Sequence, residues 1–353
     1  MRYSKIIITN VIFILIGIVI LELIFGNWFK SNQMYKLNLV MNRCIKFDRR
    51  HLYQGQGNFA FYKRDKYGLR GKYTSPSSID ILTIGGSTTD QRYISEGYTW
   101  QDILKQEFRK KNKNVSVVNA GIDGQSSYGH IKDFDWWFPN IPGLRVKYYL
   151  FYIGINDFYV DQDYNDYKYD KFKNNQRSII QIIRDNSVFF YLCQTIKNII
   201  AANSVGHQAV NFSNLKWTDI GNVKNYNALI GWKVNKYRYH IKILINKIRD
   251  YGGIPIFATQ ATRHYRTVGG KLLGTAELTP YCKTKINGID RYHIQDLFND
   301  AVRDICKEEN IILIDLANEV KWGDCDFYDF THNTPGGARE IGIYLYQKLS
   351  TFF

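Results

Sequence analysis

The segment Asp80–Asp90, with the sequence DILTIGGSTTD, is the most informative part of the chain, because an apolar run stops abruptly at two glycines and a serine. An apolar run of this kind, bounded by glycines, predicts a buried strand. The glycines let the backbone turn sharply, so we expect the Ser87 hydroxyl to project from the carboxyl end of that strand. In open α/β sheets, ligands bind at this edge. Taken by itself, the turn is also typical of a phosphate-binding loop or of a plain connection.

Further apolar runs follow, and they alternate with segments of helical period. The predicted strands are Ile79–Ile84, Val115–Asn119, Tyr148–Ile153, Ile254–Ala258 and Ile311–Ile314. The predicted helices are Trp100–Lys111, Ser127–Trp137, Val234–Tyr251, Ile294–Glu309 and Gly336–Leu349. This alternation predicts an α/β fold with a parallel sheet covered on both faces. Residues 158–223 interrupt it and are interpreted as an insertion, whose apolar stretch Ser178–Ala202 is expected to be helical and to pack beside the sheet.

The N-terminus carries one long apolar segment, Ile6–Phe25, in which Asn10 and Glu22 are the strongly polar residues. Its length is close to the ~20 residues that a helix needs to cross a bilayer core. No Ala-x-Ala-like site follows, which favours an uncleaved anchor over a signal peptide. Basic residues flank both ends, so the positive-inside rule leaves the orientation open. The expected organisation is a cytoplasmic tail at 1–5, a transmembrane anchor at 6–26, a stalk and entry segment at 27–76 and the α/β domain at 77–353.

Charge and cysteine content narrow the classes of partner and cofactor. The chain has 47 Lys and Arg against 32 Asp and Glu, a net charge of +15, which favours contact with anionic lipid or acidic polymers. The basic residues are dispersed, and the longest run, Arg109–Lys113, lies at the end of a predicted helix, so nucleic acid is not expected as a partner. The five cysteines show no CxxC pair and no metal-ligand spacing with histidine, which argues against a structural zinc. They leave the disulfide state open.

A segment near the C-terminus holds the groups that a nucleophilic serine requires. A serine hydroxyl hardly ionises near neutrality, so a base must accept its proton. Asp329 and His332 are separated by two residues in a predicted loop. At this spacing the carboxylate can accept a hydrogen bond from Nδ1–H of the imidazole, which leaves Nε2 to face Ser87 as a general base.

Turns after the predicted strands supply candidate donors for the negative charge that develops on an attacked carbonyl oxygen. Gly121 and Gly124 lie in the turn after the second strand, and Asn156 lies in a Gly-x-Asn-Asp turn after the third. Gln260 and His264 follow the fourth strand and are candidates for contact with substrate, although a position on the surface is the favoured interpretation of His264. Each turn by itself is an ordinary connection, whereas together, in this order on strand ends, they predict a catalytic serine site.

In order and separation, these segments resemble the four sequence blocks of the SGNH hydrolases, a branch of the GDSL esterases and lipases, over residues 77–353. The resemblance implies a flavodoxin-like three-layer sandwich with a parallel central sheet, preceded here by one transmembrane helix. It implies that Ser87 is the nucleophile, in Gly-Gly-Ser-Thr-Thr rather than the usual Gly-Asp-Ser. Gly86 thus replaces an Asp that is not a triad member, as in a subgroup common among bacterial envelope enzymes.

The same resemblance assigns the remaining roles residue by residue. It makes His332 the general base and Asp329 the residue that orients it. It makes the backbone N–H of Gly124 and the side-chain amide of Asn156 part of the oxyanion hole, together with the N–H of the nucleophile; Gly121 is the competing choice for the glycine. Neither a metal nor a cofactor is needed for this chemistry.

The sequence therefore predicts a serine esterase that hydrolyses acyl esters. The anchor and the subgroup resemblance favour O-acetyl groups on a cell-envelope glycan, with the catalytic domain in the periplasm or at the cell exterior. A glycan O-acetyltransferase with the same triad, which takes its acyl group from a membrane acyl-donor protein, is the alternative within the fold. A catalytically inactive, membrane-anchored glycan-binding protein is the alternative from another class. The expected partners are an acylated carbohydrate or other ester substrate and the membrane.

Overall fold

The computed structural model describes residues 2–26, 39–55, 57–160 and 207–353, together with isolated positions and short runs between 28 and 37 and between 183 and 193. The chain divides into two compact units. The first comprises Met1–Lys36 and Tyr167–His207, and the second comprises Leu37–Asp166 and Gln208–Phe353. Most of the predicted helix Ser178–Ala202 lies outside the described residues.

The first unit contains helix α1 (Arg2–Phe25), which confirms the predicted apolar helix at the N-terminus. Its part Lys5–Phe25 has 21 residues, a mean hydropathy of 2.8 and no buried side chain. The helix is long and apolar enough to cross a membrane, and a signal sequence has the same properties.

The second unit is an α/β structure. Its strands are β1 (Arg43–Asp48), β2 (Phe59–Arg64), β3 (Ile79–Gly85), β4 (Val117–Asn119), β5 (Val146–Tyr152), β6 (Trp217–Thr218), β7 (Ile254–Ala258), β8 (Tyr265–Val268), β9 (Lys271–Thr275), β10 (Thr279–Tyr281), β11 (Thr284–Ile286) and β12 (Ile312–Ile314). Its α-helices are α2 (Ser87–Asp90), α3 (Trp100–Lys110), α4 (Ser127–Trp136), α5 (Ile155–Tyr159), α6 (Tyr226–Asp250), α7 (Gly288–Glu308), α8 (Leu316–Glu319) and α9 (Pro335–Leu349).

Five parallel strands form the central sheet, in the order β12-β7-β5-β3-β4. They are the five strands that the sequence predicts, with bounds that differ by at most two residues. The order places β3, which leads to Ser87, between β5 and β4, which lead to the other two predicted turns. The α/β prediction is therefore confirmed, and the carboxyl ends of these three strands meet at one edge of the sheet.

Helices cover both faces of this sheet. Successive side chains of a strand point to opposite faces, and both faces are apolar here, so each face packs against helices. Leu150 of β5 belongs to a core cluster that also contains Leu104 of α3 and Leu345 of α9. Its neighbour Tyr149 points to the other face, where its ring lies 5.6 Å from Phe134 of α4. Helix α6 packs against α4 and α7 on that side. The result is the predicted three-layer arrangement.

Asparagine caps explain why two helices begin earlier than their apolar pattern predicts. The Asn225 side chain accepts a hydrogen bond from the Ala228 N–H, so α6 begins at Tyr226. Asn287 and Asp290 form a capping box, so α7 begins at Gly288. An asparagine oxygen satisfies a backbone donor at the first turn of a helix, and this contribution does not depend on apolar periodicity.

The hairpin β1–β2 belongs to the second unit, although its residues fall within the predicted stalk. The buried Arg64, at the end of β2, donates to the Asp90 carboxylate at 2.5 Å. The buried Arg70 donates to the Asp90 carbonyl oxygen at 2.5 Å and to the Ile94 carbonyl oxygen at 2.6 Å. Burial by itself raises the pKa of Asp90, but the charges of the surrounding arginines hold that pKa below its ordinary value. Arg64 and Arg70 thus hold the end of helix α2 in place.

Candidate active site

The turn after β3 presents Ser87 at the carboxyl edge of the sheet. Strand β3 ends at Gly85, and Ser87 is the first residue of α2. A Cβ atom on Gly85 would lie 2.1 Å from Thr89 Oγ1 and 2.4 Å from the Tyr152 carbonyl oxygen, so the turn requires glycine there. Ser87 is partly exposed, whereas the other residues of α2 are buried. The predicted sharp turn is present, and it leaves the serine hydroxyl accessible.

Ser87, His332 and Asp329 form one hydrogen-bonded chain. His332 Nε2 lies 2.7 Å from Ser87 Oγ, and His332 Nδ1 lies 2.7 Å from Asp329 Oδ2. The carboxylate can only accept at neutral pH, so Nδ1 carries the proton and Nε2 is the acceptor for the serine hydroxyl. The structure thus brings together three residues that the sequence assigns to a triad, across 245 positions of the chain.

The loop that carries Asp329 and His332 is held in place by its own backbone. Asp329 Oδ1 accepts from the Thr331 N–H at 2.8 Å and from the His332 N–H at 2.7 Å. The Tyr328 ring stacks on the imidazole, with ring centres 5.6 Å apart and planes inclined by 10°. Burial raises the pKa of Asp329, but the His332 side chain and these backbone donors lower it further, so the pKa lies below the ordinary value. The carboxylate therefore stays ionised where the imidazole has to be oriented.

Asn156 lies close to the backbone of residues 85–87, which we name the nucleophile turn after the predicted role of Ser87. Gly154, with φ +114°, lies two residues after the end of β5 and is the N-cap of α5, which carries Asn156. The Asn156 amide nitrogen donates to the Gln125 carbonyl oxygen at 2.8 Å. A Cβ atom on Gly86 would lie 2.2 Å from that nitrogen. The glycine at position 86, which departs from the usual Gly-Asp-Ser pattern, therefore leaves the space that the amide occupies.

Gly121 and Gly124 differ in the availability of their N–H groups. The Gly121 N–H donates to Asn119 Oδ1 at 2.8 Å, and a Cβ atom at this position would lie 2.5 Å from the Asp90 nitrogen. Gly124 has φ +73° and open space where a Cβ would lie. Within the described part of the chain, the Gly124 N–H donates to no other group. The geometry favours Gly124 as the oxyanion donor and Gly121 as a glycine required by close packing.

Asp157, the last residue of the Gly-x-Asn-Asp turn, has no role in the sequence prediction. It is buried, and its carboxylate accepts from the Ser127 backbone N–H at 3.1 Å and from the Ser127 hydroxyl. That hydroxyl also lies 2.8 Å from His240 Nδ1 on α6. The signal that could have identified Asp157 is its position directly after Asn156, since a carboxylate there can cap the helix that follows the neighbouring strand.

Gln260 and His264, the candidates for substrate contact, are both buried. Gln260 accepts from Thr88 Oγ1 at 3.4 Å, behind the nucleophile turn. The His264 ring stacks on Phe330, with ring centres 4.4 Å apart. Burial, with a smaller contribution from Arg291, lowers the pKa of His264 well below its ordinary value, so the ring is neutral. Gln260 thus contacts the residue that follows Ser87, and His264 contacts the loop that carries Asp329 and His332. Both side chains are buried.

A cavity of about 470 Å³ lies beside the catalytic loop. Tyr328, whose ring stacks on His332, forms part of its wall together with Tyr53 and Phe212. Gln54 and Asp324 add polar groups to the lining. The cavity therefore combines aromatic surface with hydrogen-bonding groups.

The chain is similar to a known protein family and to solved structures. The sequence model of the GDSL-like lipase/acylhydrolase family matches residues 83–339, a range that contains Ser87, Gly124, Asn156, Asp329 and His332. Among solved structures, the chain is similar to a member of the lipolytic protein G-D-S-L family from Veillonella parvula DSM 2008, with 15% identity, coverage of 77% of this chain and 98% of that chain, and a TM-score of 0.40.

Two further structures are esterases. A psychrotrophic esterase from Pseudoalteromonas sp. has 12% identity, coverage of 77% and 97% of the two chains, and a TM-score of 0.42. A catalytic mutant of an acetylxylan esterase from Geobacillus stearothermophilus has 12% identity, coverage of 77% and 94%, and a TM-score of 0.43. No curated protein matches the chain.

Proposed function

Because the chain belongs to the GDSL-like lipase/acylhydrolase family and is a serine hydrolase, we propose that it hydrolyses O-acetyl esters on a glycan of the cell envelope. The catalytic part of this proposal rests on two hydrogen bonds of 2.7 Å, one between Ser87 Oγ and His332 Nε2 and one between His332 Nδ1 and Asp329 Oδ2. This hydrogen-bonded series, next to the Gly124 N–H, is suited to acyl transfer from an ester to water.

In the first half of the reaction, Ser87 Oγ attacks the acetyl carbonyl carbon and His332 Nε2 takes the hydroxyl proton. Asp329 stabilises the imidazolium that results. The negative charge on the carbonyl oxygen is met by the N–H groups of Ser87 and Gly124 and by the Asn156 amide. The ester C–O bond then breaks, and the imidazolium gives its proton to the departing sugar hydroxyl.

In the second half, water attacks the acetyl-serine ester. His332 Nε2 takes a proton from this water, and the same donors stabilise the second tetrahedral intermediate. Collapse of the intermediate breaks the bond between the acetyl carbon and Ser87 Oγ, and the imidazolium returns a proton to the serine. Acetate is released, and the enzyme regains its starting state.

Two features support a glycan as the alcohol part of the substrate. The cavity beside the catalytic loop has Tyr53 and Tyr328 in its wall, and aromatic faces with nearby polar groups such as Gln54 suit a sugar ring, which has an apolar face and a polar rim. Helix α1 acts as an anchor in this proposal and holds the enzyme at the outer side of the cytoplasmic membrane, where envelope glycans lie. Protease added to intact spheroplasts is then expected to digest the second unit.

The experiment that tests the proposal measures free acetate released by the purified full-length protein, in detergent, from p-nitrophenyl acetate and from an O-acetylated cell-wall glycan. We expect release in water without a glycan acceptor, and loss of release in Ser87→Ala. Turnover that requires an acceptor sugar would instead indicate an O-acetyltransferase. A folded protein that neither releases acetate nor reacts with a fluorophosphonate at Ser87 would be a glycan-binding protein, and the proposal would be wrong.

A further inference from the structure

A carboxylate lies within the last turn of the apolar helix α1, and four donors surround it. Glu22 accepts from the Ser187 hydroxyl at 2.5 Å, from the Val188 N–H at 3.1 Å and from the Phe189 N–H at 3.2 Å. It also accepts from the Trp28 indole N–H at 2.9 Å. All of these residues belong to the first unit of the chain.

These contacts satisfy two groups that are costly in an apolar environment. An ionised side chain inside a membrane helix is unfavourable unless it is paired or hydrogen-bonded. The first N–H groups of a helical segment also need acceptors, because they have no partner within the helix. Glu22 and the backbone of Val188 and Phe189 meet both needs in one contact. The arrangement therefore fits a place where water is scarce.

The depth of this contact follows from the length of α1. The apolar part Lys5–Phe25 has 21 residues, which corresponds to roughly 30 Å, the thickness of a bilayer hydrocarbon core. Glu22 precedes the end of this part by three residues, or about 4–5 Å along the axis. Hydrogen bonds of about 3 Å hold Ser187, Val188 and Phe189 at the same level, which is the boundary between acyl chains and headgroups.

The residues that follow this contact expose apolar side chains. Phe189, Phe190 and Leu192, which we name the apolar patch, are 36%, 38% and 48% exposed, respectively. Charged residues are absent from the described positions 186–190, 192 and 193. Phenylalanine and leucine on one short segment at this depth are typical of a chain that lies in the membrane interface.

We propose that the apolar patch is a second membrane contact, inserted into the acyl-chain boundary at the end of α1. The proposal rests on α1 as a membrane anchor, as put forward above. Lipid is the occupant because Phe189 is hydrogen-bonded to α1, whose large apolar side chains between Ile6 and Phe25 are all exposed. The lipid that covers these side chains of α1 therefore also covers the apolar patch. The chain then holds the bilayer at two points, the spanning helix and a segment of the insertion.

Cys193 provides a native labelling site for the test, since it is exposed and lies three and four residues after Phe190 and Phe189, on the same helical face. In each single-cysteine variant, all exposed cysteines except the labelled one are replaced by serine and the buried Cys306 is kept. An environment-sensitive fluorophore is attached to the full-length protein in phosphatidylcholine/phosphatidylglycerol nanodiscs. Lipids with a spin label at acyl carbon 5 or 12 then quench probes at shallow or deep positions.

We expect at least twofold stronger quenching of the Cys193 probe by the shallow label than by the deep label. A probe at Ile14→Cys, in the middle of α1, should show the reverse order. An unquenched Cys193 probe beside a quenched Ile14 probe would overturn the proposal and leave the anchor intact. An unquenched Cys193 probe with blue-shifted emission would place protein over the patch. If the Ile14 probe were also unquenched, the anchor itself would be wrong.

A substitution of Glu22 distinguishes the effect of this hydrogen-bonded contact from nonspecific hydrophobic adsorption of the apolar patch to the membrane. Glu22→Leu removes the acceptor for Ser187, Val188 and Phe189 but lengthens the apolar helix, so α1 itself should insert at least as well. We expect shallow quenching at Cys193 to fall by half or more while quenching at Ile14 is unchanged. Trp28→Phe is the matched control, because it removes one donor to Glu22 without touching the 187–189 bonds. Equal quenching in Glu22→Leu and the parent protein would contradict the proposed link.

Discussion

Asp157 accepts hydrogen bonds from both the backbone N–H and the hydroxyl of Ser127, and it thereby joins the two segments that hold Gly124 and Asn156, the proposed oxyanion donors. On one side, Asp157 follows Asn156 on α5. On the other side, Ser127 lies three residues after Gly124. The bond from the Asn156 amide to the Gln125 carbonyl oxygen connects the same two segments a second time. The separation of the two donors is therefore fixed by two contacts rather than by one.

The first prediction is that Asp157→Asn lowers kcat on p-nitrophenyl acetate by on the order of 10–100-fold with little change in KM. An amide can replace only part of the acceptor capacity of the carboxylate, so the turn with Gly124 should shift relative to Asn156. A misplacement of about 1 Å in a catalytic group can reduce a rate by ~10². Asp80→Asn is the matched control, because Asp80 accepts from the Ser116 N–H at 2.8 Å near the opposite end of β3.

A double-mutant cycle shows whether Asp157 acts through the oxyanion donors. Asn156→Ala alone should reduce kcat by ~10²–10³, as for other side-chain donors of an oxyanion hole. In that background, Asp157→Asn should cost much less than in the wild-type protein, since part of what it positions is already gone. Equal costs in both backgrounds would mean that Asp157 affects only general stability.

The second prediction concerns the glycine before the nucleophile. Gly86→Ala should lower kcat by at least ~10²-fold. The new Cβ atom would lie only 2.2 Å from the Asn156 amide nitrogen, so the proposed oxyanion donor would have to move. Gly231→Ala is the control, because Gly231 lies on α6 and a Cβ added there would have no neighbouring atom within 4 Å. It should keep full activity and gain up to ~1 kcal/mol of stability. A Gly86→Ala enzyme with normal kcat would remove the steric explanation for Gly-Gly-Ser.

The central sheet, and the proximity of Ser87, His332 and Asp329, could be predicted from sequence because their signals are local. Buried parallel strands are continuous apolar runs, as in Ile254–Ala258, and the loop with Asp329 and His332 carries its own spacing. Strand β2, which pairs with β1 in a separate hairpin, gives the opposite case. It contains lysine and arginine, and Arg64 is buried only because Asp90, 26 residues later, compensates its charge. A local pattern cannot contain that pairing, so the sequence alone predicts no strands in residues 43–70 and assigns them to a stalk and entry segment.

Two site features escape sequence reasoning for the same reason. Tyr328 stacks on His332 only because the loop 327–333 closes on itself through the pairing of Phe327 with Asn333. The burial of His264 depends on Phe330, which is distant in sequence. A histidine at a strand end has the same pattern whether it faces a substrate or the core, so its burial had to come from the structure.

The third prediction tests the buried arginine below the nucleophile turn. Arg64→Met should lower the free energy of unfolding by about 3–5 kcal/mol, because it leaves the buried Asp90 carboxylate without its shortest ion pair. Urea unfolding followed by circular dichroism measures the change. Arg50→Met is the control, since Arg50 pairs with Asp48 on the surface and its loss should have no measurable effect.

Truncations extend the same prediction. A chain that starts at residue 37 keeps the whole second unit, including Arg64 and Arg70, and should be folded and reactive towards a fluorophosphonate. A chain that starts at residue 77 lacks both arginines and should aggregate or fail to fold. If the shorter chain were as stable and reactive as the longer one, the hairpin would be dispensable and residues 43–70 would be a stalk after all.

The last prediction concerns the pH dependence of stability. His264 stays neutral when folded because burial lowers its pKa well below 6.5, whereas in the unfolded chain it binds a proton below about pH 6.5. The unfolded state then binds more protons, so the stability that is fully present above pH 6.5 decreases as the pH falls, by at most about 1.4 kcal/mol per pH unit from this group. His264→Phe keeps an aromatic ring against Phe330 but cannot bind a proton. Urea unfolding of both proteins at pH 8, 7, 6 and 5 should show a wild-type curve that falls more steeply below pH 6.5, and parallel curves would mean that His264 is not buried as a neutral ring.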